Sequence, residues 1–322
     1  MRNELDFWWD VHAGGYTWVE STAVDSDKVR KYLTTGHPLG SPGFEFKRYA
    51  PLDRHTGLFR TFAEVDPNEE AIKAFADSFG HLGDPIGEMI GMPNHVSDKG
   101  QLVGTGESFG KWTKAILNMR RLVELWNIVQ HQDLAALARH IRWHGKGVDY
   151  LSHPDLVPNE LPAQPSVFVE AVIAAEKINP DLLEDFQKGD LVRPALYYLQ
   201  NEVNRWMKGR TSSRLLWTPD HSKLKLCLVP ESLFGALWLQ FAQVIERNSE
   251  FRRCAECGTW FELRPGSARS DKIYCSNSCR TKALRRRKAK AKELSKQGFA
   301  VREIAARLET EEKTVTRWLS KS

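Results

Sequence analysis

The sequence predicts a mainly helical body with small β-hairpins, an α+β arrangement, followed by a compact cysteine-bearing segment and a basic helical end. Three observations predict it. Apolar side chains recur at helical spacing through residues 66–79, 107–144, 190–208 and 231–247. Short β-branched or aromatic runs flank turns rich in Gly, Pro and Asp. Charge is split along the chain: residues 251–322 carry 19 Lys and Arg against 8 Asp and Glu, which leaves 27 basic against 33 acidic residues in the remaining 250. A body of acidic balance with a basic final quarter suits a polyanionic partner.

Taken in order, residues 1–62 hold an aromatic cluster (Trp8, Trp9, Tyr16, Trp18) that reads as core, with a strand expected over Tyr16–Val24. Gly36–Gly43 is a loop by composition, and Phe44–Tyr49 with Leu58–Phe62 reads as a small strand pair. Asp66-Pro67 opens a helix, since Asp caps well and Pro is tolerated at the first helical position; Ile72, Phe75, Ala76 and Phe79 form its apolar stripe. Gly80–Gly106 reads as a glycine-dotted loop. Gly104–Thr113 fails as a phosphate loop, because Thr105 and Trp112 stand where Gly and Ser or Thr are needed. Glu107 to about His144 reads as a long helical region broken near Gln132, which would set His140 and His144 on one face. Ser152–Pro165 is a connection; Ser166–Lys177, Pro180–Lys188 and Asp190–Lys208 read as helices. Leu215–Thr218 and Lys223–Val229 flank a turn and predict a hairpin, and Glu231–Arg247 is a strongly apolar helix.

Five cysteines are present, and four lie in one stretch: Cys254 and Cys257 as C-x-x-C, then Cys275 and Cys279 as C-x-x-x-C. Two short cysteine turns each supply half of a thiolate tetrahedron, the arrangement that Zn²⁺ prefers. Gly258 follows the first pair where a knuckle turn needs a positive φ. Trp260-Phe261 and Ile273-Tyr274 read as outgoing and returning strands. Ser276 stands where a helix cap belongs, which places Cys279 in the first helical turn. The stretch resembles a treble-clef zinc finger. One structural Zn²⁺ is expected, and four thiolates leave it no open position for catalysis. Two disulfides, or four ordinary buried cysteines, are the competing accounts. Cys227 stands apart as a core residue.

After Cys279 the chain reads R-T-K-A-L-R-R-R-K-A-K-A-K, strong helix formers that continue toward Gln297 and stop at Gly298. Arg280, Lys282, Arg285, Arg286, Arg287 and Lys288 are the cations expected to meet nucleic-acid phosphates, with Lys290 and Lys292 beyond them. The end of the chain then places Val301, Ile304, Ala305 and Leu308 on one helix and Val315, Trp318 and Leu319 on the next. This segment resembles the helix-turn-helix of resolvase-like and many bacterial DNA-binding domains. The resemblance implies that Lys313, Thr314, Thr316 and Arg317 face the major groove. Glu309, Glu311 and Glu312 crowd the start of that helix, which departs from the pattern.

Domains are expected at 1–250, a mostly helical body; 251–284, a four-cysteine zinc finger; and 285–322, the basic helix and helix-turn-helix. The segments Pro51–Ala63 and Ala71–Gly83 resemble the N-terminal region of bacterial proteins that end in a zinc finger. The whole is similar in architecture to the CGNR-type zinc-finger regulators, although Cys279–Lys282 reads C-R-T-K instead of that signature. The resemblances imply a transcriptional regulator that binds double-stranded DNA through a structural zinc module, and not an enzyme. Its body would bind a small molecule or mediate homodimerisation. Alternatives are an RNA-binding or mobile-element accessory protein, or an enzyme using His140, His144, Asp149 and His153. The first ten residues lack a basic-then-apolar leader, and the run Leu233–Ile245 is too short to cross a bilayer, so a cytoplasmic protein without a membrane partner is expected.

Overall fold

The computed structural model describes residues 7–24, 26–38, 45–83, 86–97, 100–144, 147–150, 167–168, 187–217, 222–263 and 272–320. The chain divides into two compact units, Met1–Asn248 and Ser249–Ser322. It is mixed α/β with small antiparallel sheets, and strand occupies several places where helix or loop is expected from the sequence.

The first unit begins with strands β1 (Trp9–His12), β2 (Thr17–Thr22), β3 (Val29–Thr34) and β4 (Phe46–Tyr49). β4 pairs with β1, from Trp9 opposite Tyr49 to His12 opposite Phe46. The other half of the expected strand pair is helical. Helix α1 (Pro51–Arg54) is followed by α2 (Leu58–Ala63), which buries Leu58, Phe59, Phe62 and Ala63. Those positions repeat every four residues, the helical period and not the alternation of a strand. Helix α3 (Glu69–Phe79) starts two residues later than Asp66-Pro67 implies: Asn68 is its cap, and its side-chain oxygen accepts from the Ala71 N–H at 2.9 Å.

The largest departure is Gly80–Gly106. Strands β5 (Gly87–Ser97) and β6 (Gly100–Ser108) form a hairpin there, and β6 also pairs with β3 in a sheet ordered β2-β3-β6-β5. Glycine serves close packing here. A Cβ at Gly106 would lie 2.6 Å from Ile90 Cδ1, and one at Gly104 would lie 2.6 Å from Met92 Sδ. The bare backbone of the inner strand lets Ile90, Met92 and Tyr32 close over it as one buried group.

Helix α4 (Phe109–Gln130) is the centre of the unit and buries Trp112, Ile116, Met119, Leu122 and Trp126. Its Trp112 ring lies 6.1 Å from Phe62 and 6.0 Å from Phe75. The expected break is present, with Gln132 at φ 53. The helix beyond it is short: α5 (Leu134–His140) gives way to β7 (Ile141–His144), which pairs with β8 (Gly147–Tyr150). His140 and His144 therefore do not share a helical face. β9 (Val167–Phe168) completes that sheet, where a helix over Ser166–Lys177 is expected. Residues 169–186, with the rest of that helix and nearly all of the next, lie outside the described residues, as do His153 and the loop around it.

Helix α6 (Val192–Met207) leads to strands β10 (Thr211–Trp217) and β11 (Leu224–Pro230), the predicted hairpin, and then to α7 (Leu233–Arg247). Ser232 caps α7 by accepting from the Gly235 N–H at 3.1 Å. Gln240, buried on α7, donates to the carbonyls of Pro51 (3.0 Å) and His55 (2.8 Å) and accepts from the Phe59 N–H (3.3 Å). One amide thus satisfies the chain ends around α1 and α2. No helix among the described residues is long and apolar enough to cross a membrane.

The second unit contains β12 (Glu250–Arg253) and β13 (Trp260–Leu263), paired antiparallel, then helices α8 (Asn277–Lys296), α9 (Val301–Arg307) and α10 (Glu312–Ser320). Trp260-Phe261 thus pairs backward with Glu250–Arg253, and Ile273-Tyr274 is not a strand; it meets the knuckle through one bond, Ala255 N–H to the Ile273 carbonyl at 2.9 Å. α8 runs unbroken across positions 284 and 285.

Candidate metal centre and nucleic-acid interface

The β12–β13 register brings Arg253 opposite Trp260, so the chain must reverse over Cys254–Thr259. Two backbone bonds make the turn: Gly258 N–H to the Cys254 carbonyl and Cys254 N–H to the Thr259 carbonyl, both 2.9 Å. Gly258 sits at φ +72, where a side chain would be strained. This knuckle presents Cys254 and Cys257 on one side. The other pair comes from the start of α8. Ser276 caps that helix by accepting from the Cys279 N–H at 3.2 Å, which fixes Cys279 in the first turn with Cys275 just ahead of the cap.

The four sulfurs lie within 4.8 Å of one another and are placed to hold a metal ion; no other such group occurs among the described residues. Cys257 and Cys275 sulfurs are 3.6 Å apart and those of Cys275 and Cys279 3.5 Å. A disulfide needs about 2.05 Å, so these are separate thiols. Phe261 packs with Cys254 and Cys279, with Leu263, Tyr274 and Cys275 at the rim of this small apolar group, and Cys257 is exposed outside it. Charge is unequally shared among the sulfurs. Burial raises the Cys254 thiol, but backbone N–H bonds from Cys275, Cys257 and Glu256 outweigh it and bring it down to about 6. Burial, then hydrogen bonding with Cys279, pushes Cys275 up to about 12. The knuckle amides are thus already aimed at a thiolate.

α8 then carries the cations. Its inward face buries Cys279, Ala283, Ala291 and Leu294. On the opposite face Lys282, Arg285, Lys288, Lys292 and Lys296 follow one another at three- and four-residue steps, a stripe of about 20 Å along the axis. The sequence names the first four; Lys296 joins them only once the buried face is known. Arg280 is exposed beside the cysteines. Two of the expected cations are turned elsewhere. Arg286 pairs with Glu256 at 3.1 Å. Arg287, half-buried, donates to the carbonyls of Leu308 and Glu309 at the end of α9 and lies over the Trp318 ring.

α8, α9 and α10 share one apolar group of Ala291, Leu294, Ile304, Ala305, Val315 and Trp318. Gly298, at φ +89, ends the first helix, and Glu309, at φ +48, turns the chain between the second and third. On α10, Lys313, Thr316 and Arg317 are exposed and Thr314 is half-buried. The Thr316 hydroxyl donates to the Glu312 carbonyl at 3.0 Å, and Arg317 reaches the Thr314 hydroxyl at 3.4 Å.

No protein-family model matches the chain, and comparison with curated proteins and with solved structures found no similar protein.

Proposed function

We propose that the chain is a DNA-binding transcriptional regulator, that its four cysteines hold one structural Zn²⁺, and that α9 and α10 act as a helix-turn-helix. The observation that carries the reading is the cationic stripe on α8, which runs from the cysteine quartet toward the three-helix group on one continuous helix. Uncompensated cations at helical spacing are favoured beside a regular polyanion.

Zinc is the metal that four thiolates favour, and the sulfur separations of 3.5 and 3.6 Å approach the edge of about 3.8 Å that zinc–sulfur bonds of about 2.3 Å require. Cys254, Cys257, Cys275 and Cys279 would be its ligands. Its role is to fix the start of α8 against the knuckle. The site offers no fifth group and no open position, so no chemistry is assigned to it. Lys313, Thr314, Thr316 and Arg317 are assigned to the major groove and its phosphates. The stripe on α8 is assigned to backbone phosphates, which position the protein without reading sequence.

The test is the salt dependence of duplex binding. Each phosphate neutralised contributes about −0.9 to the slope of log affinity against log salt, so Arg285→Ala with Lys288→Ala is expected to flatten the slope by about 2. An unchanged slope removes α8 from the interface. Single-stranded RNA that displaces the duplex stoichiometrically would replace DNA as the partner.

A further inference from the structure

The hairpin β10–β11 carries a dry face that no described residue covers. Register and alternation sort its side chains: residues directly opposite, such as Leu215 and Leu226 or Trp217 and Leu224, point to the same side. One face therefore gathers Leu215, Trp217, Leu224, Leu226 and Leu228, which are 61, 61, 48, 69 and 44% exposed, with the uncharged Ser213 opposite Leu228. The other face mixes Leu216 and Val229 with Arg214 and Lys225, and Arg214 is held by Glu231 at 2.8 Å. The base of the hairpin is anchored. Pro230 is buried, Glu231 N–H donates to the Arg210 carbonyl at 2.9 Å, and Gly235 of α7 approaches that carbonyl so closely that a Cβ would lie 2.3 Å from it. The arm is fixed at its root and open along its length. A lone two-stranded ribbon is marginally stable in water, and this one exposes roughly 500 Å² of apolar surface on a single side, the upper range of patches that monomers carry.

We propose that this face is a dimerisation surface and that its occupant is the same face of a second copy of the chain. Area supports it: two such faces together remove about 1,000 Å², the size at which specific interfaces begin. Self-complementarity supports it too. A two-fold interface sets a patch against its own copy. The dry face holds no charge to repel its copy, whereas the opposite face holds Arg214 and Lys225. A charged partner would find no counter-charge on the dry face. Trp217 is the aromatic anchor of the kind that dominates interface energies. The inference does not rest on the DNA reading; a dimer would merely supply the two basic units that paired half-sites require.

Sedimentation equilibrium of the full chain tests it. The wild type is expected to be a dimer at about 10 μM. Leu215→Ser with Leu226→Lys should weaken association by about a hundredfold, while Cys227→Ser, on the opposite face, leaves it unchanged. Far-UV circular dichroism checks that the double variant is folded. Should it not fold, the wild type alone decides: amides of Leu224–Leu228 must exchange more slowly as concentration is raised through the dimer transition. A monomeric wild type overturns the proposal, whether Trp217 is then open to an aqueous quencher or shielded by the chain itself. A folded double variant that stays dimeric overturns it equally.

Discussion

In the unit Met1–Asn248 the side chains of Trp112, Trp238, Phe59, Phe62, Phe234 and Phe241 are fully buried, and they come from helices far apart in sequence. Ser249–Ser322 buries its apolar side chains in two small groups instead, one built on cysteine and one on six residues of three helices. The first is held by bulk apolar burial. The second has little of it around its cysteines, the condition in which small scaffolds use a further tie. A metal ion held by the quartet would supply that tie. The two units should therefore fail under different insults.

The largest effect is expected from the metal. Chelation, or Cys275→Ser, should release one zinc per chain and unfold Glu250 to Cys279, because structural zinc contributes about 10–16 kcal/mol of binding that is also folding energy. Hydrogen exchange is the measurement: amides of β12, β13 and the first turn of α8 lose protection, and those of α4 and α7 keep theirs. A folded Cys275→Ser chain that retains zinc would exclude the site. The opposite insult is Trp238→Ala. Trp238 stacks on Trp206 at 5.5 Å and meets Phe234 edge-on at 6.1 Å. Its removal should cost about 3–5 kcal/mol in the urea transition of the first unit and leave zinc content unchanged. Loss of zinc in that variant would break the contrast.

The same contrast explains what the sequence makes legible. The cysteine spacing, Gly258, the Ser276 cap and Gly298 are local signals, each acting within a few residues; the structure gathers the four cysteines and uses the other three signals as read. In the first unit the deciding partners are distant. Gly104 and Gly106 look like loop formers until Met92, Ile90 and Tyr32 are seen crossing them. Phe46–Tyr49 has the composition of a strand, but its partner is Trp9–His12 and not the residues that follow. Distance also limits the reading of the basic helix. Arg287 looks like its neighbours in sequence, and only the carbonyls of Leu308 and Glu309 reveal that it braces the next turn. The apolar hairpin is visible as a hairpin, yet its exposed face follows only from register and burial.

A finer test concerns polar groups that the large core buries. Glu107 is the last residue but one of β6, and its carboxyl accepts from the N–H groups of Gly83 at 2.6 Å and Leu82 at 3.1 Å. Burial pushes this carboxyl up to about 8, with the Leu82 and Gly83 bonds opposing. His81, beside that loop, is moved the other way: burial brings it down to about 3. The signs follow from proton counts. Between about 4.5 and 8 the folded chain holds a proton on Glu107 that the unfolded chain has lost, so stability falls as pH rises. Between about 3 and 6.5 the unfolded chain holds a proton on His81 that the folded chain excludes, so stability rises with pH. The two oppose each other from about 4.5 to 6.5, and from about 6.5 to 8 Glu107 acts alone. Its slope there should approach −1.4 kcal/mol per pH unit, to order of magnitude about one proton's worth. Glu107→Gln keeps the shape, carries no proton to lose and should flatten the urea midpoint of the first unit across that window. If the variant and the wild type lose stability in parallel from about pH 6.5 to 8, Glu107 is ionised in the fold, and the two N–H bonds outweigh the burial that surrounds it.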